Sequence, residues 1–121
     1  SSISAQRLVR NLCPTCAEPY QPSAALLANL PGAKSASDAH YRKPKGCSAC
    51  RGTGYRGRAS IAEIMMISDT MRDLILRRAP ERDIRNKAID EGMVPLLADG
   101  LRRAAEGLTS LDDVIRVAGL D

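Results

Sequence analysis

Apolar positions along this chain change period from block to block. In residues 4–12, Leu8, Val9 and Leu12 make one stripe at helical spacing and the segment runs into Pro14, so it reads as the end of a helix. Ser23 can cap a short helix from Ala24 to Leu30, which Pro31-Gly32 ends. Residues 32–39 are small and polar and read as a mobile loop, and His40 to Lys43 as a short strand. The run Ile61-Ala62-Glu63-Ile64-Met65-Met66-Ile67 is too apolar to be exposed on both faces. Its shortness, and the Ser68-Asp69 helix start after it, make it a strand centred on Ser60 to Ile67.

After Ser68 the pattern is helical. Met71, Leu74, Ile75 and Arg78 follow one stripe, and Pro80 suits the first turn of the next helix, with Glu81 and Asp83 placed where the helix dipole favours acids. That helix turns Ile84, Ala88 and Ile89 inward and ends at Gly92; a third opens at Pro95 with Leu96, Leu97, Leu101 and Ala104 inward and ends at Gly107. Thr109 with Asp112 resembles a capping box, after which Leu111, Val114, Ile115 and Ala118 face the core. The predicted class is α+β, mostly α. Residues 1–67 form a small subdomain with short strands, and 68–121 form a helical extension with a compact four-helix unit at 68–119.

Composition narrows what the core is made of. There is no Trp or Phe, and Tyr20, Tyr41 and Tyr55 are the tyrosines, so Leu, Ile, Val, Ala and Met must fill the interior. Met65, Met66, Met71 and Met93 are packing residues on this reading. No apolar run approaches the ~20 residues of a membrane span. A net charge of +4, with Lys and Arg spread among acids, reads as a solvated mixed-charge surface.

Chemistry concentrates in two C-x-x-C pairs, Cys13-Pro14-Thr15-Cys16 and Cys47-Ser48-Ala49-Cys50, which account for all four cysteines. Two such pairs supply the closed four-thiolate shell of a structural zinc ion, with no open position for water. Two disulfides, or an iron–sulfur or redox site, use the same residues and stay open. The 30 residues between the pairs exceed a zinc-ribbon loop of roughly 15–20, so the insert is expected to carry its own helix. Glycines 46, 52, 54 and 57 let the backbone fold tightly there and aim N–H groups at the sulfurs. Other chemistry is missing. There is no G-x-x-x-x-G-K-[ST] loop, His40 reads as an exposed loop residue, Asp112 and Asp113 as helix-dipole partners, and nothing composes a nucleophile–base–orienter set. On its own residues the segment is not an enzyme.

Three stretches in order carry a family resemblance: Ala5 to Cys16; Gly46-Cys47-Ser48-Ala49-Cys50-Arg51-Gly52-Thr53-Gly54-Tyr55-Arg56-Gly57-Arg58 with Ile61 and Glu63; and Glu91-Gly92-Met93-Val94-Pro95-Leu96 with Asp99-Gly100-Leu101, Glu106 to Leu111 and Val114 to Val117. Together they resemble the C-terminal part of the hexameric secretion ATPases, which drive bacterial type II secretion or, in close relatives, type IV pilus assembly. The resemblance implies a four-cysteine metal subdomain, with Cys13, Cys16, Cys47 and Cys50 on structural Zn2+, and a helical extension. It also implies an ATP- and Mg2+-binding core upstream. The segment opens without a cap-rich leader and reads as a cut through a longer protein. Homo-hexamer assembly, inner-membrane platform partners, a cytoplasmic location peripheral to the inner membrane and no nucleic-acid role are implied as well. The sequence departs from the family pattern at Ser60 and Ala62. Asp83-Ile84-Arg85-Asn86 is similar to a helix of the pilus-retraction relatives, yet reads as helix surface. Arg56 and Arg58, on a glycine-bounded turn, read first as solubilising residues bonding local carbonyls; the alternative is that they reach a nucleotide or a neighbouring subunit's acids. A DnaJ-type zinc chaperone module, from C-x-x-C-x-G-x-G at 47–54, and a zinc-ribbon nucleic-acid binder are the alternatives.

Overall fold

A computed structural model describes residues 2–119, without the side chains of residues 2 and 4; the ends of the two expected spans, residue 1 and residues 120–121, lie outside the described residues. The framework is an antiparallel ribbon of two long strands, β1 (Ser2–Leu12) and β4 (Tyr55–Met65), brought together from opposite sides of the four-cysteine insert. The expected helix at 4–12 is therefore a strand. The reason lies in a register shift between Arg10 and Leu12. A bulge places Val9 and Leu12 both inward, three residues apart, and so counterfeits helical spacing in a strand. Leu8, the third member of that stripe, is half exposed on the other face.

The insert between the strands carries a two-strand clip, β2 (Glu18–Pro19) with β3 (Arg42–Lys43), and a short helix, α1 (Ala24–Ala28). Ser23 caps α1 as expected, its hydroxyl accepting from the Leu26 N–H at 3.1 Å. A short 3-10 turn at residues 36–38 interrupts the polar loop.

Four helices follow the ribbon: α2 (Asp69–Leu76), α3 (Glu81–Asp90), α4 (Leu96–Ala105) and α5 (Leu111–Ala118). They are arranged as two pairs. Met71 and Ala88 join α2 to α3 around Met93, with Met65 and Ile84 packed at the edge. The Ser68 hydroxyl, which caps α2, donates to Glu91 at the end of α3. The second pair, α4 and α5, folds back onto β1 and β4. Its core joins Leu101, Ala104, Leu111 and Val114 to Leu30 and Tyr41 of the insert, so the helices and the cysteine region share one interior. Ile75 and Ile89, placed on apolar stripes by the sequence, are exposed by 48% and 44%, leaving the outer face of α2–α3 partly apolar, and Met66, read as a packing residue, is exposed by 46%.

Two contacts fix α4 on the ribbon. Asp99 accepts the Ala62 N–H at 2.9 Å, and Ile64 exchanges a pair of backbone hydrogen bonds with Val94 just before the helix. The α5 cap differs from expectation by one residue. Ser110, not Thr109, accepts the N–H of Asp113, and Thr109 turns its hydroxyl to the Arg10 carbonyl instead.

Candidate metal centre and its surroundings

Cys13 leaves the end of β1 under tight backbone control. The Leu12 N–H donates to Leu108, the Cys13 N–H to Gly54, and the Ala17 N–H closes a turn back to Cys13. The other pair sits on a 3-10 turn at Ser48–Cys50, which ends with Arg51 in the left-handed region at φ 56°. The fold brings all four sulfurs within 4.8 Å of one another, with Cys13 and Cys50 buried and Cys16 and Cys47 half-buried. No disulfide joins them. Sulfur–sulfur distances are 3.9 Å for Cys13–Cys47, 3.8 Å for Cys16–Cys50 and 3.8 Å for Cys47–Cys50.

Those distances suit a tetrahedral ion. With metal–sulfur bonds of ~2.3 Å the edge of an S4 tetrahedron is about 3.8 Å. Three backbone N–H groups also point at sulfur: Gly46 to Cys16 at 3.3 Å, Cys47 to Cys50 at 3.2 Å and Gly54 to Cys50 at 3.1 Å. Such donors favour thiolate over thiol. Burial raises the Cys50 thiol, yet the Cys47 and Gly54 N–H groups and the neighbouring thiols outweigh it and bring it down to about 6. Burial pushes Cys16 up to about 11, with the Gly46 N–H opposing and the other three sulfurs reinforcing the rise. A divalent ion would hold all four as thiolates.

Gly54 makes the approach possible. At φ +83° it adopts a backbone that side chains rarely tolerate, and a Cβ there would lie 2.4 Å from the Pro44 Cβ. The expected glycine roles therefore hold at Gly46 and Gly54, while the Gly52 N–H serves the Cys47 carbonyl. His40 is exposed and outside the cluster.

A second constellation locks the ribbon to α5. Asp113 is fully buried and accepts the Arg10 N–H at 2.6 Å, the Arg10 guanidinium at 2.8–2.9 Å and the Arg116 Nε at 2.9 Å. Arg10 also lies 4.0 Å over the Tyr55 ring, whose hydroxyl meets Ser110 at 2.7 Å. Asp113 is thus the hub of this corner and no mere dipole partner, whereas Asp112 is exposed. Its partner Arg10 lies 103 positions away, beyond the reach of any local pattern.

Arg56 and Arg58 are exposed and, among the described residues, their side chains make no hydrogen bond or ion pair. Arg85 lies on the surface of α3 and meets Glu63 at 3.4 Å, and Asn86 is exposed, as a helix-surface reading requires.

A ribbon closed by a four-cysteine knot and backed by α4–α5 is the setting in which the sequence comparison falls. The profile of the family described as Type II/IV secretion system protein matches residues 1–116, and the chain belongs to that family. Among curated relatives, type II secretion system protein E of Pseudomonas aeruginosa is 39% identical over 115 residues, covering 95% of this chain and 22% of its own length. The type IV pilus assembly ATPase PilB of Myxococcus xanthus is 37% identical over 116 residues, covering 93% of this chain and 20% of its own. The type II secretion system ATPase E of Vibrio cholerae is 37% identical over 115 residues, covering 95% and 22%. The chain spans about a fifth of the length of these relatives. Among the described residues, no helix is long and apolar enough to cross a membrane.

Proposed function

We propose that this chain is the metal-stapled C-terminal region of a hexameric ATPase that powers type II secretion or type IV pilus assembly. Cys13, Cys16, Cys47 and Cys50 hold one structural zinc ion, which supplies a cross-link and no chemistry because four thiolates complete its shell. The supporting observation is the sulfur cluster itself: four thiols within 4.8 Å, with backbone N–H groups aimed at two of them. The names of the relatives support the ATPase reading. ATP and Mg2+ belong to the region upstream, since no phosphate-cradling glycine loop occurs here. Residues 1–67 form the metal subdomain and 68–121 the extension. The whole protein works as a homo-hexamer at the cytoplasmic face of the inner membrane, docked on platform proteins.

In this reading the zinc holds residues 13–50 as a rigid knob, and α4–α5 transmit its position to the ribbon. The test uses the full-length protein. Cys47→Ser is expected to lose the zinc and to lower both hexamer content and ATPase rate, read by native mass spectrometry and phosphate release. Normal assembly and rate in a zinc-free Cys47→Ser protein would sink the coupling role. Arg56 and Arg58 are exposed residues of this region that could meet a nucleotide or a neighbouring subunit. Arg58→Ala is expected to slow hydrolysis at unchanged zinc content, and an unchanged rate removes that assignment.

A further inference from the structure

Beside the cysteine knot lies a cleft of about 330 Å³ between the end of β1, β3 and the C-terminal end of α4. Arg42, Arg56 and Arg103 line it together with Asn11, and no carboxylate does. Their positions in the sequence are far apart, so only folding gathers them. Arg42 Nη2 donates to the Ala17 carbonyl at 2.6 Å and Arg103 Nη2 to Asn11 Oδ1 at 3.1 Å. Arg56 meets nothing, and the buried Nε of Arg103 has no hydrogen-bond partner. Three arginines therefore line one cleft, their side chains meeting neutral acceptors or none.

The backbone is shaped around this arrangement. Gly107 at φ +77° lies so close to Arg42 that a Cβ would fall 2.8 Å from Arg42 Cδ and 2.9 Å from the His40 carbonyl oxygen. The Arg42 stem passes where any side chain at 107 would stand. A buried Arg103 Nε without an acceptor costs free energy that a bound anion would recover.

We propose that this cleft is a binding site for a phosphate group, held by Arg42, Arg56 and Arg103. Charge selects phosphate over a single carboxylate. A phosphate monoester carries about −1.5 to −2 at neutral pH and three acceptor oxygens, and guanidinium forks grip such oxygens in bidentate fashion. The phosphate can be free or borne by a small ester such as a nucleotide. The site is separate from Arg58, which does not line the cleft, and from the sulfur cluster.

Arginine Nε–Hε NMR signals of the metal-loaded chain test this, in titrations with inorganic phosphate, ADP and acetate at constant ionic strength. Phosphate or ADP is expected to shift Arg42, Arg56 and Arg103 saturably, while Arg72 and Arg77 on α2 stay still. The tighter of the two identifies the source as free or esterified phosphate. Arg56→Gln, which breaks no side-chain hydrogen bond or ion pair of the fold, is expected to weaken binding about tenfold, the loss of one charge-assisted hydrogen bond. Arg103→Gln should weaken it as well, with backbone shifts confined to the neighbourhood of Asn11, whose Oδ1 loses the Arg103 donor. Equal, unsaturated drift of all five arginines would mean counterion condensation only and would overturn the site. Acetate saturating the same signals as tightly as phosphate would overturn the phosphate assignment in favour of an acidic polypeptide.

Discussion

Asp113 accepts one backbone N–H and two guanidinium groups with no exposure of its own. Cutting a fully buried ion pair costs roughly 3–5 kcal/mol. Here Arg10 and Arg116 keep 44% and 56% of their side chains in water, so they recover solvation when the partner goes. Asp113→Ala is therefore expected to cost about 2 kcal/mol, mostly for the stranded Arg10 N–H, measured by urea unfolding. The pH dependence has a definite sign. Burial opposes ionisation, but the Arg116 and Arg10 hydrogen bonds outweigh it and hold the carboxyl below its ordinary 3.8. Its contribution is complete above that value and is lost as pH falls through the lower, folded one. Acidification below pH 3.8 should destabilise the wild type more steeply than Asp113→Asn, and parallel acid-unfolding curves would contradict this. At Gly54 a side chain meets both the positive φ and Pro44. Gly54→Ala should loosen the Gly54 N–H on Cys50 and weaken metal retention against a chelator, with Gly52→Ala, which has open space for a Cβ, as the milder comparison.

Among the elements, the ribbon shows where sequence pattern fails and why. Val9 and Leu12 keep helical spacing because a bulge resets strand parity between Arg10 and Leu12. A bulge is invisible to periodicity, since its cause is the partner strand. By contrast α1 and the helices α2–α5 were legible, because Ser23, Ser68, Pro80, Pro95 and the terminating glycines mark helix ends chemically. The one-residue slip at α5 arose because Thr109 and Ser110 are equally good caps in isolation; the Arg10 carbonyl takes the Thr109 hydroxyl and settles the choice. Gly100 sets how closely α4 approaches α5 and β4. Alanine there would gain about 1 kcal/mol of helix propensity, but its Cβ would sit 2.7 Å from Val114 Cγ1. Overpacking costs about 1–3 kcal/mol, and Val114 is fully buried with no room to yield. Gly100→Ala should therefore lower the unfolding midpoint, and a stabilised variant would show that the α4–α5 contact is softer than described.

For the molecule as a whole, the four cysteines that the sequence offered as one set do converge, because β1 and β4 bring Cys13 and Gly54 into backbone contact. The arginine cleft and the Asp113 hub were not legible, since the hub joins residues 103 positions apart and the cleft gathers arginines from positions 42, 56 and 103. With no Trp or Phe, the interior is thin, and the two hydrophobic clusters are modest. A small core of this kind gains most from a metal cross-link. The most direct measurement is elemental analysis of the reduced, purified chain, followed by thermal unfolding with and without a strong chelator. The account predicts about one zinc per chain, bound by the four thiolates, and a large fall in the unfolding midpoint when it is stripped. A chain that carries no metal and unfolds at the same temperature in chelator would contradict it.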